Sequence, residues 1–146
     1  MTRRVLVSTF LVLAAIGVEA QAPRQFRARL SPVPLDVAMQ STIAGSASVT
    51  ATLTGYTLAV AGSFKGLKTP ATVVRLHRSE KMGMRGAAIG DLRATRGTSG
   101  TITGSIELTP DQATDLANNR LYIQLHSEKA PDGNLWGWLF PQEGKK

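Results

Sequence analysis

At 146 residues, with a net charge of +7 and no cysteine, the chain has room for one domain. Disulfides, thiolate metal sites, a catalytic cysteine and a lipidated N-terminal cysteine are all excluded. The cations are scattered, with no dense run apart from Lys145-Lys146, which favours a solvated basic surface over a dedicated nucleic-acid site.

Arg3 and Arg4 precede an apolar run over residues 5–18, and Val18-Glu19-Ala20 offers small residues where a signal peptidase reads. This pattern predicts a signal peptide over residues 1–20, cleaved near Ala20, and a periplasmic or secreted product. The run is shorter than the roughly 20 residues a spanning helix needs, so the chain is not expected to span a membrane.

Residues 21–42 contain Pro23, Pro32 and Pro34, with Phe26, Ala28 and Leu30 alternating with Arg27 and Arg29. A short edge strand or an extended N-terminal arm over the domain is expected here. The domain proper is expected over residues 43–141, followed by a polar tail at 142–146.

Ser46–Thr54 and residues 57–64 both alternate around Gly55-Tyr56, which reads as a hairpin. Ala71–Arg78 follows a Gly/Pro loop. Its Thr72, Val74 and Leu76 are expected to face inward, leaving Val73, Arg75 and His77 on the opposite face. A polar loop holding Met82 and Met84 leads to a short strand over residues 88–92 and another over 101–109. Thr109, Pro110 and Asp111 then signal one short helix, ended by Asn118-Asn119. The last stretch, residues 121–140, alternates on both sides of Ala130-Pro131-Asp132-Gly133 and predicts a closing hairpin with its turn there. Leu121, Ile123, Leu125, Leu135 and Leu139 form its aliphatic face; Tyr122, Gln124, His126, Trp136 and Trp138 form the other. The whole reads as an all-β antiparallel β-sandwich with one short helix.

Three segments, TLAVAGSFKGLKTPATVVRLHR, GTSGTITGSIELTPDQATDL and NRLYIQLHSEKAPDGNLWGWL, resemble the CHRD domain. That domain is named for chordin and is common in exported bacterial proteins. The resemblance spans residues 45–139. It implies a sandwich of immunoglobulin-like Greek-key type and no agreed activity. The chain departs from the family pattern in two ways. Arg75 stands where the strand ending at His77 typically carries a first histidine, and Trp136 and Trp138 replace polar or charged residues.

His77 and His126 share the outward parity with Arg75, Tyr122 and Gln124. The family's paired-histidine strand is similar to the way Cu/Zn superoxide dismutase sets ligands outside its barrel. With the thioethers of Met82 and Met84, two imidazoles suit copper, or zinc through the histidines alone. The fixed charge of Arg75 opposes a cation there. The plainer alternative is that both histidines satisfy loop backbone.

Trp136, Trp138 and Phe140 suit an exposed aromatic strip for sugars or apolar partners, or a second core layer roofed by Phe26, Leu30, Val33 and Leu35. No nucleophile–base set, HExxH or phosphate-cradling glycine loop is present. Only Glu128 and Asp132, sharing the expected hairpin loop, have the spacing of a hydrolase pair. The expectation is a non-catalytic exported binding or structural module for a protein or envelope component. The alternative is a copper or zinc module using His77, His126, Met82 and Met84.

Overall fold

Side chains along a strand point alternately to opposite faces, so alternating apolar and small polar residues set the architecture of most of this chain. A computed structural model describes residues 22–143. The signal peptide expected over residues 1–20 and the end of the polar tail lie outside the described residues. Among the described residues there are nine strands: β1 (Arg24–Pro32), β2 (Ser46–Thr54), β3 (Thr57–Lys65), β4 (Ala71–Arg78), β5 (Ala88–Ala94), β6 (Gly100–Glu107), β7 (Leu121–Ser127), β8 (Ala130–Trp138) and β9 (Phe140–Pro141). The helix α1 (Pro110–Ala117) crosses from β6 to β7.

The strands close into an antiparallel barrel in the order β1-β2-β3-β6-β5-β4-β7-β8, with β8 returning to β1. The immunoglobulin-like sandwich expected from the sequence is corrected accordingly, because hydrogen bonds turn both corners between the two halves. On β1, residues 24–30 pair with β2 while Ser31 and Pro32 pair with Trp136 and Leu135 of β8. On β5, Leu92 pairs with Val74 of β4 while Arg93 pairs with Thr103 of β6. Closure leaves no long unpaired edge.

The same pairing revises the expected N-terminal arm. Residues 24–32 are a barrel strand, and Phe26, Ala28 and Leu30 lie in the main core with Val49, Leu58, Leu76, Ile102 and Leu135. Pro32 sits at the strand's end, where a missing N–H costs least. Gly137 lets β8 pass close to β1, since a Cβ there would lie 2.2 Å from the Arg29 carbonyl oxygen.

Two local expectations also shift. A bulge between Ala71 and Val74 places Ala71 inside and leaves Thr72 exposed. The closing hairpin turns at Glu128-Lys129, so Pro131, Asp132 and Gly133 belong to β8. The preceding loop holds this turn from outside: Glu128 N donates to the Pro70 carbonyl (3.0 Å) and Lys129 N to Thr69 Oγ1 (3.1 Å).

The helix begins as its sequence predicts. Thr109 Oγ1 accepts from Gln112 N, and Gln112 Oε1 accepts from Thr109 N, a reciprocal capping box. Asp115 has a larger role than complementing the helix dipole. It is buried and takes charge-assisted contacts from Arg78 at the end of β4 and Arg120 before β7, tying the crossover to the barrel. Among the described residues no helix is long and apolar enough to cross a membrane.

Candidate functional site

Register on the outer face of β4, β7 and β8 assembles most of the chemically distinctive side chains. One row across the strands is Arg75, Gln124 and Trp136; the next is His77, Tyr122 and Trp138. The rings of the second row stack in sequence, His77 on Tyr122 at 4.8 Å and Tyr122 on Trp138 at 4.8 Å between centroids. Trp136 meets both Tyr122 and Trp138 edge-on. Such aromatic pairs add about 0.5–1.5 kcal/mol each beyond their buried area.

The loop of residues 79–87 folds over this cluster and is fastened at both ends. At the near end, Ser79 N donates to the Arg120 carbonyl (2.8 Å), and Ser79 Oγ accepts from Trp138 Nε1 (3.0 Å). At the far end the Gly86 peptide is a clamp. Its N–H donates to Tyr122 Oη (2.9 Å), and its carbonyl accepts from His77 Nδ1 (2.9 Å) and from Tyr122 Oη (3.3 Å). Only glycine fits here, because a Cβ would lie 1.7 Å from the Arg78 carbonyl oxygen. Arg85 completes the cover. It donates to the Asp132 carbonyl (2.8 Å) and lies over Trp136, 6.0 Å from the ring centroid. Ser79, Arg85 and Gly86 carry no spacing signal that would reveal these roles in the sequence.

Tyr122, Gln124 and Trp138 are thus buried, and Trp138 retains only 7% of its exposure. Trp136 is half-buried against a small cluster of Val33, Ile43 and Ala130, on which Met39 also packs; Val33, Met39 and Ile43 are the part of the N-terminal segment that does roof the face. Leu35 is exposed instead, and Phe140 lies outside against β1 rather than with the tryptophans. Arg75 pairs with Asp91 at 3.0 Å.

The two histidines lie on one face and hold different partners. His77 is opposite Tyr122, and His126 is four residues further along β7, past Gln124 and at a bulge before Ser127. His126 Nδ1 faces the Pro131 carbonyl (2.8 Å), and its Nε2 faces the Gln124 amide nitrogen (3.2 Å). That pattern makes it a neutral ring, Nδ1 donating and Nε2 accepting. Gln124 Nε2 also donates to the Asp132 carbonyl, and its Oε1 is buried without a partner. His77 Nε2 is likewise buried and unpartnered. Met82 and Met84 stand in solvent at the loop's tip. Among the described residues no three His, Asp or Glu side chains converge as a metal site. Glu128 reaches Arg96 at 3.4 Å, and Asp132 belongs to a strand rather than to a shared loop with it.

Burial lowers the pKa of both histidines from the ordinary value of 6.5. The Gly86 and Pro131 carbonyls oppose the shift, while the positive charges of Arg75 and Arg85 reinforce it, and His77 adds to it at His126. Protonating His126 would also set an N–H donor against the Gln124 amide donor.

Two outcomes follow. Gly86→Ala should detach the loop, cost about 2–4 kcal/mol in urea denaturation, and make tryptophan emission more accessible to acrylamide. Stability should also depend on the histidines. With folded pKa values below 6.5, the unfolded chain binds protons first as pH falls, so stability is full above about pH 6.5 and declines below it. Melting temperature should drop between pH 7.5 and pH 5, and His126→Gln should flatten that decline.

No curated protein and no solved structure matches the chain. The family model of the CHRD domain matches residues 26–139, a span that begins within β1 and ends just after β8, and so takes in nearly all of the barrel and the clamped loop. The chain belongs to the CHRD domain family.

Proposed function

We propose that this chain is a non-catalytic, exported CHRD module that binds a protein or envelope component through the tip of the loop of residues 79–87. The observation that carries this reading is the contrast within that loop. Its ends are locked to the barrel through Ser79 and Gly86, while Met82 and Met84 keep 55% and 50% of their exposure. A rigid base that holds two flexible thioethers in water, between Lys81 and Arg85, suits an adaptable contact with a partner. His77 Nδ1 and Tyr122 Oη are engaged in holding the cover in place. Export rests on the Arg3-Arg4 leader and the small residues before Gln21. The double variant Met82→Lys/Met84→Lys should keep the wild-type melting temperature and lose about ten-fold or more of its binding to isolated envelope fractions. Unchanged binding would remove the tip from this reading.

One observation favours a second reading. A carbonyl holding Nδ1 and leaving Nε2 free is the arrangement of a metal-ligating imidazole, and His77 has it, with Gln124 Oε1 also unpartnered. The fit is partial. His126 Nε2 is engaged by Gln124, and Arg75 brings positive charge to the same face. His77 would hold copper or zinc, with Met82 or Met84 joining only if the loop tip folded inward. After loading with copper or zinc and dialysis, the module reading expects well under about 0.1 metal per chain. Stoichiometric metal that is lost in His77→Ala, with the circular dichroism spectrum unchanged, would establish the second reading instead.

A further inference from the structure

The opposite side of the barrel has a different chemistry. The outward positions of β2, β3 and β6 are almost all serine, threonine or alanine, and register aligns them in rows. One row runs Ser48, Ser63, Thr101; the next runs Thr50, Ala61, Thr103; a third runs Thr52, Ala59, Ser105. These short side chains make a flat, hydroxyl-rich shelf. Cations frame it. Arg27 and Arg29 on β1 lie beside Thr50 and Ser48, and Arg93 on β5 lies beside Thr103. Lys65 stands beside Ser46 at the end of the shelf. A groove of about 550 Å³ at that end is lined by Arg29, Ser31, Ser46, Ser48, Ser63 and Lys65.

None of these four cations has an acidic partner among the described residues. The carboxylate at the shelf's far end, Glu107, is hydrogen-bonded to Thr57. From Arg27 to Arg93 is four strand steps, about 19 Å along the sheet at the usual spacing. The charges, scattered in sequence, are therefore gathered by the fold around one uncovered face.

We propose that this shelf binds an acidic polysaccharide, a chain that presents carboxylate or sulfate groups among many hydroxyls. Guanidinium groups at the margins match the anions, and the serine and threonine hydroxyls between them can both donate to and accept from sugar hydroxyls. The three central strands offer no outward aromatic on which nucleic-acid bases could stack. They also offer no large apolar side chain to enter a bilayer surface. This inference goes beyond the loop-tip reading and uses none of its residues.

Isothermal titration of the mature chain tests it. The probes are polygalacturonate and dextran sulfate, with neutral dextran, a single-stranded oligonucleotide and phosphatidylglycerol vesicles for comparison. One or both acidic polysaccharides should bind, and neutral dextran should not. Arg27→Ser/Arg29→Ser and Lys65→Ser/Arg93→Ser should each weaken that binding about ten-fold or more. Lys81→Ser/Lys129→Ser, with the same change in net charge on the side of the barrel that carries β4, β7 and β8, should weaken it less than about two-fold. Two independent shelf variants keep the test valid if one of them fails to fold. No binding of either acidic polymer, equal losses in the control variant, or tighter binding of the oligonucleotide or vesicles through the same arginines would each overturn the proposal.

Discussion

The barrel depends on one strand serving two neighbours along its length. Residues 24–30 complete a ladder with β2, and Ser31-Pro32 complete one with β8. Without β1, the outer strands of both halves would present unpaired N–H and C=O groups, and Phe26, Ala28 and Leu30 would leave the core. With it, about 120 residues without a disulfide enclose a single aliphatic interior. The helix and the Asp115 contacts then secure the crossover from β6 to β7, which, like the connection from β3 to β4, passes over two strands of the ring.

The two sides of this barrel solve the problem of an outward face differently. On β4, β7 and β8 the outward residues are large and ringed, and a loop and part of the N-terminal segment cover them, making a second buried layer. On β2, β3 and β6 they are small and hydroxylated, and water can cover them. Side-chain size therefore decides which face needs protein on top. It also explains why His77 and His126, although chemically versatile, serve as hydrogen-bonding posts beneath a cover.

Much of this was readable because it is local. Alternation assigned the strands and the aliphatic face of β7 and β8, and Thr109 with Pro110 marked the start of the helix. What escaped was set by residues distant in sequence. The Pro131-Asp132-Gly133 cluster has turn chemistry, yet Thr69 and Pro70 hold the hairpin's bend at Glu128-Lys129. Parity places His77 and His126 on one face, and only the register of β4 against β7 shows that His77 stands across from Tyr122 rather than from His126. Closure was hidden for the same reason, since a strand's alternation reports which way its side chains point and nothing of which edges meet. The cover over the site rests on a backbone contact at Gly86, a kind of interaction that side-chain patterns do not advertise.

That contact bears on how the family's surface can diversify. The loop is fastened by a serine at one end and by a glycine peptide at the other, with Arg85 as an added strap, while Lys81, Met82, Gly83 and Met84 are exposed. Insertions and substitutions between those posts would change the shape and polarity of the tip while the stack of His77, Tyr122 and Trp138 kept its roof. The barrel thus has the geometry of a display scaffold: an exposed segment fastened at both ends, where a change of side chain alters the contact surface without refolding the domain.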